Sequence, residues 1–158
     1  MQTYLAAKNI LTISSVRALV LSGSSSEVVY SSILVAEKWL DNQCFSVFCA
    51  TGECRHSSVA FIRYLNASGK TERLNRMIAQ LTKFRDTKGG WKGFPYFFTL
   101  LTLSEIESSI ADDELKYALA FAEQRFKKSR IEEPYNTRRN EIFARVQSRF
   151  GQSLLNHV

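Results

Sequence analysis

The stretch Phe84-Arg-Asp-Thr-Lys-Gly-Gly-Trp-Lys-Gly-Phe-Pro-Tyr-Phe-Phe-Thr-Leu-Leu-Thr-Leu-Ser-Glu-Ile106 decides the fold. Polar residues and the pair Gly89-Gly90 close one helical pattern at Trp91. The chain then enters a second helix that is apolar on nearly every side, a signature of burial. Pro95 suits the first turn of that helix, where its missing N–H costs nothing. A fainter version of the plan lies upstream: Trp39–Gln43 ends a helix, and Thr51-Gly52 leads into the helix around Ser58–Leu65.

Working outward, the spacing predicts a first helix over 3–21, stopped by Ser22-Gly23. Ser24 and Glu27 have capping-box spacing at the head of a second helix with Val29, Ile33, Ala36 and Leu40 on one face. Residues 41–55 read as a loop, with Phe45–Phe48 as a short extended piece that lacks a second strand to pair with. A third helix is expected over 56–66 and a fourth over 71–85, the latter with Leu74, Met77, Ile78, Leu81 and Phe84 on one face. The fifth covers 95–109. The sixth starts near Asp112, capped by that side chain, with Leu115, Ala118, Leu119, Ala122 and Phe126 inward. After Glu132-Glu133-Pro134, a seventh covers 137–150 with Ile142, Phe143, Val146 and Phe150. The expected class is all-α, built of antiparallel helical hairpins.

An internal repeat supports this. His56–Leu65 aligns with Phe94–Leu103, placing Gly52 over Gly90, and Leu74–Leu81 aligns with Leu115–Ala122. Two-helix units with a period of about 40 residues mark helical-repeat architectures. The expected organisation is one domain over 1–158, with units at about 3–41, 56–86 and 94–128 and a closing helix at 137–151.

With 45% hydrophobic and 23% charged residues, the chain has ordinary globular composition. Its net charge of +6 is carried in blocks: basic from Lys70 to Lys92, acidic from Glu105 to Glu123, basic again from Arg125 onward. Alternating blocks point to faces that meet across the fold or between chains. They do not form the aromatic-interleaved basic stripe of a nucleic-acid binder. No apolar run reaches the roughly 20 residues of a membrane span. Arg17 interrupts the apolar Ile10–Leu21 segment, against a signal peptide. The 3 cysteines, an odd number, argue for a reducing compartment and a cytoplasmic location.

Phe84–Trp91, followed by the helix holding Thr99, Leu100 and Leu103, resembles the repeat of the prenyltransferase and squalene-cyclase superfamily. Trp39-Leu40-Asp41-Asn42-Gln43 is similar to the Gln-bearing helix end of the same unit. The resemblance spans about Val28–Lys128 and implies an α/α toroid. Arg85 stands where that repeat carries Gln, and Lys88 where it carries Asp. The family's Asp-x-Asp-Asp acid is missing, and its zinc ligands cannot be carried over by position. The resemblance therefore implies a short, open relative that binds a protein partner, a second copy of itself or a hydrophobic, prenyl-like ligand without the family chemistry. Trp91, Tyr96 and Phe97 are the candidate ligand-lining residues.

Reactive side chains concentrate in Cys44-Phe-Ser-Val-Phe-Cys49-Ala-Thr-Gly52-Glu-Cys54-Arg55-His56. Cys49 and Arg55 have the spacing of a thiol-phosphatase loop, in which a thiolate and an arginine share a phosphate. Val47–Ser57 also resembles the low-molecular-weight tyrosine phosphatase signature, with glycine displaced by one position and His56 where that family has serine. Cys44, Cys49, Cys54 and His56 supply ligand types suited to zinc. Buried structural cysteines beside Phe45, Val47 and Phe48 are the third reading. A small metal- or thiol-dependent enzyme is thus the alternative to a binding domain.

Overall fold

Apolar residues at helical intervals fold as α-helices throughout a computed structural model that describes residues 3–127 and 132–151. The elements are α1 (Thr3–Leu21), α2 (Glu27–Asp41), α3 (Cys54–Ala67), α4 (Thr71–Thr82), α5 (Tyr96–Ser104), α6 (Ser109–Lys127) and α7 (Tyr135–Arg149). The fold is all-α, and no strand occurs among the described residues. A 3-10 turn, Cys44–Val47, replaces the extended piece expected at Phe45–Phe48, because Phe45 is drawn fully into the core.

Contacts follow a layered order. α3 touches α1, α4 and α5, while α5 touches α6 and α7, and α4 touches α6. α3 is the centre. Every residue from Ser57 to Ile62 is buried, along with Tyr64 and Leu65. Its sequence gives little sign of this role, since two of the buried residues are the polar Ser57 and Ser58. Ser58 earns its buried place: its hydroxyl accepts from the Cys49 N–H at 3.0 Å and donates to the Cys49 carbonyl at 2.9 Å.

Three helix ends differ from the sequence expectation by three residues or more, each for a reason seen in the contacts around it. α4 stops at Thr82 because the next residues leave to pair with the Gly-Gly-Trp loop: Lys92 N–H donates to Phe84 O at 2.7 Å and Asp86 N–H to Gly90 O at 2.8 Å. α5 ends at Ser104 because Glu105 turns toward arginines of other helices. α6 opens at Ser109 under the Ser108 hydroxyl, which accepts from Ala111 N–H at 3.3 Å. Asp112 is an ion-pair partner of Arg149 at 2.7 Å and not the cap. The side chains of Ala122 and Phe126, expected on the inner face of this helix, lie outside the described residues.

Two carboxylates join the helices. Glu114, 1% exposed, accepts from Thr82 Oγ1 at 2.6 Å and from Trp91 Nε1 at 2.7 Å, and pairs with Arg85 at 2.9 Å. Glu105 receives Arg17 of α1 at 3.0 Å and Arg63 of α3 at 2.6 Å, while its carbonyl takes Asn66 Nδ2 at 2.9 Å. The alternating charge blocks therefore meet across the fold, with Arg85 of the first basic block and Arg149 of the second both on the acidic one. Burial pushes the Glu105 carboxyl up, but Arg63, Arg17 and the field of Arg145 together hold it below the usual carboxylate range.

The Gly-Gly-Trp loop is packed as tightly as a core. Gly89 has φ +71°, and a Cβ there would sit 2.5 Å from Phe121 Cβ, at the rigid base of that side chain. Gly69 has a similar φ of +67° but open space around it. Gly69→Ala should cost about 1 kcal/mol for the left-handed backbone alone. Gly89→Ala adds overpacking and should cost about 3 kcal/mol in total. Urea denaturation of the two variants checks the difference, and equal losses would refute the packing argument.

Acid unfolding tests the Glu105 centre. A carboxyl whose folded pKa is depressed stabilises the fold above the ordinary carboxylate range, and that contribution drains away as pH falls through the folded value. Glu105→Gln should lose about 2 kcal/mol at neutral pH and show a shallower decline of stability on acidification than the wild type.

Candidate functional site

The segment between α2 and α3 folds back on itself because two aromatic residues anchor it. Phe45 is fully buried, its ring 5.7 Å from Phe61 and 6.4 Å from Trp39. Phe48 adopts φ +74°, a left-handed conformation costly for a bulky residue. It is held there between Phe94 at 5.6 Å and Phe84 at 5.9 Å. This reversal returns Cys49 toward Cys44, which opens the 3-10 turn, and toward Cys54, which opens α3.

The result is a cluster of three free thiols. The sulfurs of Cys44, Cys49 and Cys54 all lie within 4.8 Å of one another, with Cys44 and Cys54 3.5 Å apart. Cys44 is exposed; the other two are half-buried. Burial alone pushes the Cys49 thiol up, but the Thr51 N–H, the two neighbouring thiols and the Thr51 hydroxyl outweigh it, and its pKa falls below the ordinary thiol value. Cys54 moves the other way. Burial and the proximity of Cys44 and Cys49 push it up to about 12. Between Cys49 and Cys54, a negative charge therefore favours Cys49.

The remaining candidates are placed differently. His56 is exposed on the first turn of α3 and does not belong to the thiol cluster. Arg55 donates from Nε to the Ala50 carbonyl at 2.7 Å, and its guanidinium lies where a Cβ on Gly93 would be, 2.3 Å from that position. The Cys49 N–H is directed to Ser58. The Arg55 Nε–H and the Cys49 N–H are thus both engaged with the protein itself.

Trp91, Tyr96 and Phe97 form a contiguous aromatic set. Trp91 and Tyr96 ring centres are 6.2 Å apart, Tyr96 and Phe97 5.1 Å apart in an edge-on pair, and Arg139 lies 4.1 Å over Phe97. Trp91 is 3% exposed and donates its indole N–H to Glu114. This set seals the loop against α6 and α7.

A further surface went unread in the sequence. α2 carries apolar residues on two faces. Val29, Ile33, Ala36 and Leu40 turn inward as expected, while Val28, Val35 and Trp39 face outward at 74%, 73% and 36% exposure. With Ser32 they recur at intervals of four, three and four residues, the spacing of a coiled-coil seam. The signal was available: this helix has more apolar positions than one inward face requires. Glu105 and Glu114 were also missed as centres. The clue to Glu105 was two arginines flanked by apolar residues, Arg17 and Arg63.

No protein-family model, curated protein or solved structure matches this chain. Among the described residues, no helix is long and apolar enough to cross a membrane.

The uneven thiol acidity has a direct readout. Limiting alkylation near neutral pH should label Cys49 well ahead of Cys54, as mapped by peptide mass spectrometry. Raising the pH should narrow the gap as Cys54 begins to ionise. Preferential labelling of Cys54 would contradict the electrostatic picture.

Proposed function

We propose that this chain is a non-catalytic helical binding domain that docks a second copy of itself through the outward stripe of α2. The observation that carries the reading is that stripe: Val28, Ser32, Val35 and Trp39 on an exposed side of a helix whose inward face is already occupied. Apolar side chains at coiled-coil spacing gain most by packing against another helix.

A second copy fits better than an unrelated partner because the stripe is self-complementary. Glu27 and Lys38 lie on the same flank of it, near opposite ends, and both are exposed. Two α2 helices paired antiparallel about a two-fold axis bring Glu27 of each copy toward Lys38 of the other. The contacts of α3 with α1 and with α5, set beside that of α4 with α6, support hairpin units laid side by side. An open, toroid-like array of this kind leaves its first hairpin without a neighbour on one side.

Sedimentation across a concentration series tests the reading. The wild type should show reversible dimerisation. Val35→Glu, an exposed substitution, should be monomeric with unchanged helical circular dichroism. Glu27→Lys should weaken the dimer at least several-fold at low salt, and the double variant Glu27→Lys with Lys38→Glu should recover it. A wild type that stays monomeric, with or without a bound hydrophobic molecule, would refute the proposal.

A further inference from the structure

We infer that Cys44, Cys49 and Cys54 form a trithiolate site for a thiophilic divalent cation of the zinc class, with its fourth coordination position open to solvent. The inference is independent of the docking reading and rests on a different part of the molecule.

The geometry suits the ion. Tetrahedral Zn–S bonds of about 2.3 Å place thiolate sulfurs about 3.8 Å apart. Here the sulfurs stand 3.5 Å apart for Cys44 and Cys54 and within 4.8 Å for every pair. Closing on a cation needs only thiol rotations and shifts of about an ångström or less. Three sulfur donors with no oxygen partner select zinc-like ions over calcium or magnesium, which take oxygen ligands.

The positions are also fixed by the fold. Phe45 in the core seats Cys44, the paired bonds of the fully buried Ser58 seat Cys49, and the start of α3 seats Cys54. Such outer support, which holds ligands in place before the ion arrives, is typical of metal sites. Among the described residues no histidine or carboxylate joins the three sulfurs. Cys44 is exposed, so the fourth position faces water. Closed structural zinc sites have four protein ligands; a site with three keeps one exchangeable.

The test uses the full reduced chain titrated anaerobically with Co²⁺ and then Zn²⁺. One equivalent of cobalt should bind, with sulfur-to-cobalt charge-transfer absorption of three thiolates, and zinc should displace it. Cys44→Ser, an exposed change, should remove about a third of that absorption and keep the helical circular dichroism. It should also weaken zinc by more than the roughly 10–100-fold typical of losing an outer-shell partner. His56→Ala should bind as the wild type does. Failure of the reduced, folded chain to take up either metal would overturn the site, leaving the thiols as ordinary residues or a Cys44–Cys54 redox pair. Unchanged binding by the Cys49→Ser, Cys54→Ser double variant would do the same. Loss of binding in His56→Ala would overturn the open fourth position.

Discussion

The structure turns on a carboxylate that sits where water cannot reach it. Glu114 is buried to 1% exposure, and a charge so placed persists only if its oxygens are fully engaged. Its partners come from one stretch of chain: Thr82 at the end of α4, Arg85 just past it, and Trp91 across the loop. Satisfying one side chain of α6 therefore dictates where α4 must stop and how the Gly-Gly-Trp loop must turn. Asp86 completes the turn by accepting from Lys88 and Gly90 N–H, each at 2.8 Å. Tyr117 closes it from α6 by donating to the Asp86 carbonyl.

Much of this was legible, and the reasons differ by element. α4 could be read from its apolar face alone, since Leu74, Met77, Ile78 and Leu81 are all buried as their spacing predicts. α3 could be located but not ranked. Periodicity measures which side is apolar, and α3 buries serines and alanine on the sides it does not fill with Phe61 or Leu65. The helix end near Arg85 was misjudged because Glu114 and the Gly-Gly-Trp loop set it, and the start near Asp112 because Ser108 is the cap and Asp112 is drawn to Arg149. Capping rules are local, whereas Arg149 and Glu114 act across the fold.

The reactive segment shows the same limit. Composition marked Cys44, Cys49, Cys54 and His56 as one group, and chain proximity offered no way to separate them. The three thiols converge because Phe48 reverses the backbone, and nothing in its sequence neighbourhood announces a left-handed phenylalanine. His56 is excluded by helical geometry, since two residues after Cys54 on α3 the side chain points elsewhere. Arg55 is diverted by a carbonyl and by the absence of a side chain on Gly93.

That last contact bears on motion. Arg55 lies on Gly93, and the rings of Phe48, Phe84 and Phe94 pack against one another with centres 5.3–5.9 Å apart. These contacts fasten the thiol-bearing segment to the Gly-Gly-Trp loop, although some forty residues separate the two in the chain. Neither can open without exposing the aromatic surface of the other, so the two loops form one cooperative unit of local unfolding. Amide hydrogens in both should exchange together, and the free energy of that shared opening governs how often the half-buried thiols meet solvent.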